Sequence, residues 1–161
     1  MMRRAGVRIA PANQRGVGLI EVLIAVLVLS IGFLGVAAMQ TSSLSMNNSS
    51  MARSVATIDS YSILDAMRAD KASAQSHAYD TTVTANACPT DTSTLANTQL
   101  KQWCGQLAAG LSASASTTGT ILCTGTQGDC TVTVTFDDSK SGAAGTNSST
   151  GLQTVTTRAM L

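Results

Sequence analysis

Glu21 is the one carboxylate in the apolar run "GLIEVLIAVLVLSIGFLGVAAMQ", Gly18 to Gln40. From Val17 to Met39 only Glu21 and Ser30 depart from apolar character, glycines apart. About 20 apolar residues span a bilayer as helix, and an acid inside such a span costs on the order of a few kcal/mol unless a partner meets it. Charge neutralisation is therefore the chemistry that Glu21 invites. The four cysteines, Cys88, Cys104, Cys123 and Cys130, offer a second chemistry. Their spacing contains no C-x-x-C, and the one histidine, His77, lies upstream. That pattern points to two disulfides in an oxidising compartment and to no metal site. Three pairings are open to four cysteines. Cys88–Cys104 with Cys123–Cys130 is favoured, because each closes a short local loop, worth about 2–3 kcal/mol in chain entropy.

Nothing else in the chain looks like catalysis. There is no G-x-S-x-G, no phosphate-binding loop and no nucleophile–base pair, so no catalytic residue and no cofactor are expected. Net charge is +1, but the charges are segregated. Arg3, Arg4, Arg8 and Arg15 precede the apolar run, and after residue 16 six basic residues face nine acids. Such a balance is a poor footprint for nucleic acid. The upstream arginines hold that end of a spanning helix in the cytoplasm and send the rest across the membrane.

The elements that must position these residues begin with the apolar run itself. No proline occurs between Pro11 and Pro89, so one helix is expected from Val17 to Lys71, about 80 Å long at 1.5 Å per residue. Gly32 and Gly35 are its weak points, each costing about 1 kcal/mol relative to alanine. In its second half Leu44, Met51, Val55, Ile58, Tyr61, Leu64 and Met67 recur at near-helical spacing, which predicts the face turned to a core. Leu95, Leu100, Trp103, Leu107 and Leu111 predict a second helix with Trp103 as a core anchor. "TILC" and "CTVTVTF" predict a hairpin around "TGTQGD", with Val132, Val134 and Phe136 on one face. A polar loop from Asp137 to Gly151, long enough for flexibility or a binding role, then leads to the closing strand "LQTVTTRAML". The expected fold class is α+β, with a small antiparallel sheet packed on the second half of the long helix. A modest aliphatic core follows from an aromatic content of 3%.

Three readings of the apolar run compete. A cleavable secretory signal has a shorter apolar region, 7–15 residues, and no acid within it. An ordinary anchor explains the length but leaves Glu21 as a chance residue near the cytoplasmic interface. The third reading covers all the features. A basic leader ending in Arg15-Gly16, the apolar Val17, and Glu21 four residues on resemble the class III signal of type IV pilins and pseudopilins. The resemblance implies cleavage between Gly16 and Val17 by a prepilin peptidase on the cytoplasmic side, and N-methylation of Val17. It also implies that Glu21 is an assembly residue, neutralising the new amine and setting register between subunits. Val17 stands where phenylalanine is commonest, Gly18 where threonine or serine is frequent, and Ala38 where many major pilins have proline.

Within that family the run is similar to PilV-type minor pilins, and "QLKQWCGQL", "TVTVTFDD" and "TVTTRAML" follow their order of segments, with Phe136 where tryptophan is common. The resemblance implies the type IV pilin fold and a low-abundance subunit that primes assembly at a pilus tip. Expected partners are other minor and major pilins, the prepilin peptidase, the inner-membrane assembly platform and a tip adhesin; the alternatives are a minor pseudopilin of type II secretion and a pilin module that binds a surface or DNA through the Asp137–Gly151 loop. The implied organisation is a leader at 1–16, a membrane or filament-core helix at 17–39, its periplasmic continuation at 40–72 and a disulfide-bonded head at 73–161. The implied location is the inner membrane with a periplasmic C-terminus, then the extracellular pilus.

Overall fold

The computed structural model describes residue 16 and residues 18–125, 128–139 and 151–161. The chain divides into two compact units, Met1–Gln40 and Thr41–Leu161. Helix α1, Leu19–Ala69, contributes to both. A short α2, Lys71–Gln75, follows it, then β1, Thr81–Thr84, and α3, Leu95–Leu111. Strands β2, Thr118–Thr124, β3, Asp129–Asp137, and β4, Leu152–Met160, complete the chain. The four strands pair antiparallel in the order β1-β2-β3-β4. The fold is α+β, and it fits the type IV pilin fold in its long N-terminal helix and its four-stranded antiparallel sheet.

α1 stops two residues short of the expected Lys71. Asp70 leaves helical geometry at φ −121°, ψ 51°, and its carboxylate accepts from Ser73 Oγ at 2.8 Å and from the Tyr79 hydroxyl at 3.1 Å. A side chain so engaged favours a turn over helix continuation. Gly32 and Gly35 lie within continuous helix.

The core of the second unit lies between α1, α3 and one face of the sheet. β3 buries Val132, Val134 and Phe136 in strict alternation, as the sequence predicts. On α3 the buried face is Ala96, Leu100, Trp103, Cys104, Leu107 and Leu111. Leu95, expected on that face, is exposed. Thr94 caps α3 by accepting from the Asn97 N–H at 3.1 Å, which places Leu95 at the first helical position, outside the packed stripe.

The inward face of α1 is the largest correction. Ser49, Ala56, Asp59, Ser60, Ile63, Leu64 and Met67 are buried, whereas Leu44, Met51, Ile58 and Tyr61 are exposed by half or more. At one point α3 comes close to this face: a Cβ added to Gly110 would lie 2.6 Å from Val55 Cγ1. Ser60 satisfies its hydroxyl on the Ala56 carbonyl at 2.7 Å and can be buried cheaply.

Asp59 is less well provided for. Its backbone carbonyl accepts from Trp103 Nε1–H at 3.0 Å, but its buried Oδ2 has no hydrogen-bond partner among the described residues. Burial raises its carboxyl above the ordinary carboxylate value. The folded chain thus holds a proton there that the unfolded chain releases, and stability falls as pH rises from the unfolded value, about 3.9, through the folded one. The penalty is complete above the folded value and absent below the unfolded one. Asp59→Asn is therefore expected to raise the denaturation midpoint at pH 7, with the gain shrinking toward pH 4. Urea titrations of both chains at the two pH values measure this. A gain of equal size at both would refute the assignment.

Candidate processing and assembly site

Gly16 is exposed and precedes the first helical residue, Leu19. The helix opens from Gly18, whose carbonyl accepts the N–H groups of Glu21 at 3.0 Å and Val22 at 3.3 Å. Glu21 therefore sits in the first turn of α1. A carboxylate there faces the positive end of the helix dipole, worth about 0.3–1 kcal/mol when exposed. Val17 and the arginines at 3, 4, 8 and 15 lie outside the described residues.

Around this end the helix is apolar on every side. Its most apolar stretch is long enough to cross a membrane, and none of that stretch is buried. Large side chains from Leu19 to Met39 stand at least half exposed all round the axis. A helix apolar all round is stable only when something covers it. Ser30 closes its hydroxyl on the Val26 carbonyl at 2.7 Å, as hydroxyls do in apolar helices. Glu21 has no such outlet. Among the described residues no hydrogen bond or ion pair reaches its carboxylate. The structure thus leaves one acidic side chain on an uncovered apolar helix, without a polar partner among the described residues.

The cysteines belong to the second unit. Cys88 bonds to Cys104, tying the connection after β1 to α3. Cys123 bonds to Cys130, its direct opposite in the β2–β3 register. No free thiol remains, and among the described residues no group of histidine, cysteine and acidic side chains could hold a metal ion. These bonds brace the second unit.

Sequence reasoning missed two polar links between α1 and the sheet. Ser49 Oγ donates to the Asp138 carboxylate, and Arg53 Nη2 donates to Gln153 Oε1 at 2.7 Å. They fix α1 to the end of β3 and the start of β4. The partners lie about a hundred residues apart, so no local pattern betrays them. The Asp137–Gly151 loop, expected to be flexible or binding, falls at 140–150 outside the described residues.

No curated protein and no solved structure matches the chain. Residues 11–37 match the family model of the prokaryotic N-terminal methylation motif, a span that contains Gly16, Val17 and Glu21. The chain therefore carries a type IV pilin-like signal, joined to an apolar helix that its own fold leaves uncovered.

Proposed function

We propose that the protein is a minor pilin, a non-catalytic subunit of the complex that primes a type IV pilus at its tip. On this reading the prepilin peptidase cuts between Gly16 and Val17 and methylates Val17. The apolar half of α1 then holds the subunit in the inner membrane, with the disulfide-bonded head in the periplasm, until it enters the filament. Glu21 pairs with the new amine, of its own or a neighbouring chain, and sets the register. At 4 Å and an effective dielectric near 20 the gross attraction is about 4 kcal/mol.

The observation that carries this reading is the lone Glu21 in the first turn of an uncovered apolar helix, inside the matched motif. A second feature supports a subunit role. Leu44, Met51 and Ile58, spaced by seven, form an exposed apolar stripe that Tyr61 extends. Side chains of that size left outside a core mark a surface that other molecules cover. Major and minor pilins, the assembly platform and a tip adhesin are the partners this reading names. A pseudopilus subunit of type II secretion shares every one of these features, and the identity of the co-purifying subunits separates the two.

Intact-mass spectrometry of the chain from its native membranes tests the processing directly. The expected species starts at N-methylated Val17 and is lighter by four hydrogens, for two disulfides. A chain beginning at Met39 would mean a secreted domain without Glu21, and the filament reading would fall.

A further inference from the structure

β1 is an edge strand, and it opens into a cleft of about 410 Å³, within the size range of ligand sites. The far wall comprises Ala87, Pro89, Asp91, Asn97 and Leu100. The Cys88–Cys104 disulfide pins that wall to α3. The cleft is therefore a fixed feature of the second unit.

Register decides which main-chain groups face it. The Ala85 N–H donates to the Thr117 carbonyl at 2.9 Å, continuing the pairing of Val83 with Gly119 and Thr81 with Ile121. Bonding residues alternate along an antiparallel strand. Thr81 and Val83 therefore turn their groups to β2, and Thr82 and Thr84 turn theirs outward. The Thr84 carbonyl is taken by the Ala87 N–H at 2.9 Å. The Thr82 N–H, the Thr82 carbonyl and the Thr84 N–H remain, and they have no partner among the described residues. Such a row is a template for another strand.

Two acids line the cleft. Asp80 lines it, held by the Cys123 N–H at 3.0 Å and facing His77 Nδ1 at 2.8 Å. Asp91 lines the opposite wall, fixed by the Ser93 N–H at 2.8 Å and Asn97 Nδ2 at 2.6 Å. No lysine or arginine lines the cleft among the described residues. We infer that this cleft receives an extended segment of another protein, which adds to β1 as a fifth strand and directs lysine or arginine toward Asp80 and Asp91. This goes beyond the reading of the N-terminal signal and does not rest on it.

The test uses the full-length chain in detergent and a capped, fluorescein-labelled heptapeptide of alternating threonine and valine with lysine at both ends. Fluorescence anisotropy is expected to show saturable binding. Methylating the peptide's central backbone nitrogens should weaken it about tenfold, the loss of one or two main-chain hydrogen bonds. Thr82→Pro removes only an outward N–H, which an edge strand tolerates, and should weaken binding by about the same factor, whereas Thr82→Ala should leave it within about twofold. A peptide with glutamate at both ends should bind more weakly than the lysine peptide, and the difference should shrink in Asp91→Asn. If the lysine peptide does not bind saturably, or binds with indifference to both backbone changes, the strand-addition site is wrong. Equal binding of the glutamate peptide would overturn the charge assignment. The methylated peptide needs no variant, so the result stands even where Thr82→Pro fails to fold.

Discussion

Trp103→Ala is expected to destabilise the second unit by about 3–5 kcal/mol, the range for emptying a buried aromatic site. Trp103 is 1% exposed and is the one tryptophan of the chain. Its ring lies against β2 at a point where no other residue type would allow it. A Cβ on Gly119 would stand 2.4 Å from Trp103 Cη2 and 2.7 Å from Leu107 Cδ1. The glycine thus lets the indole rest on the strand backbone, and its Nε1–H reaches the Asp59 carbonyl on α1. One side chain joins both helices to the sheet. Removing it leaves a cavity bounded by three elements and an orphaned acceptor on α1. Against a typical total of 5–15 kcal/mol the loss is a large share. Trp103→Phe keeps most of the ring and loses the hydrogen bond, so it should cost about 1–2 kcal/mol. Because the fluorescent reporter disappears in both variants, pulse proteolysis across a urea series is the suitable measurement. A shift of less than about 1 kcal/mol for Trp103→Ala would mean that α1 and α3 close over the gap, and that the ring is not the keystone.

That arrangement also shows how far the sequence could be read. α3 was legible through Leu100, Trp103, Leu107 and Leu111, and β3 through Val132, Val134 and Phe136, because large apolar residues carry the period themselves. β1 was not legible. It has four residues, three of them threonine, and its identity comes from pairing with β2 and not from its own pattern. The inward face of α1 was misread for a related reason. Alanine, serine and aspartate fill much of the inward face and leave little hydrophobic signal, while the large residues at 44, 51, 58 and 61 stand exposed. Periodicity reports that a face is apolar, but it does not say which molecule covers it.

The same limit shaped the candidate site. Glu21 and the apolar run could be read from composition alone, since one acid among so many aliphatics stands out in any window. No partner for Glu21 could be read, and no described residue of the chain meets its carboxylate. The cleft beside β1 left no trace in the sequence. Its walls come from β1, the connection after it and the start of α3, and its outward groups are main-chain atoms, which side-chain patterns do not encode.

Glu21→Ala is expected to leave the chain processed and membrane-inserted but to cut its incorporation into filaments to about a tenth or less. The magnitude follows from what remains behind. Removing one member of a buried ion pair strands the other charge, at a cost of about 3–5 kcal/mol, which exceeds a hundredfold in an equilibrium constant. Here the stranded group would be the methylated amine of Val17, held in an apolar surround. If Glu21 only complemented the helix dipole, its loss would cost about 0.3–1 kcal/mol, a factor of five or so at most. The two roles therefore differ by more than the scatter of a filament-shearing assay. Immunoblots of sheared filaments against membrane fractions measure incorporation, and intact mass confirms that cleavage is unchanged. Glu21→Gln sharpens the distinction, since it keeps the size and hydrogen-bonding capacity but not the charge. It should resemble Glu21→Ala if charge neutralisation sets the register. It should resemble the unaltered chain if a hydrogen bond suffices. Undiminished incorporation of Glu21→Ala would remove Glu21 from assembly altogether and leave the uncovered apolar face of α1 as the sole contribution of this segment.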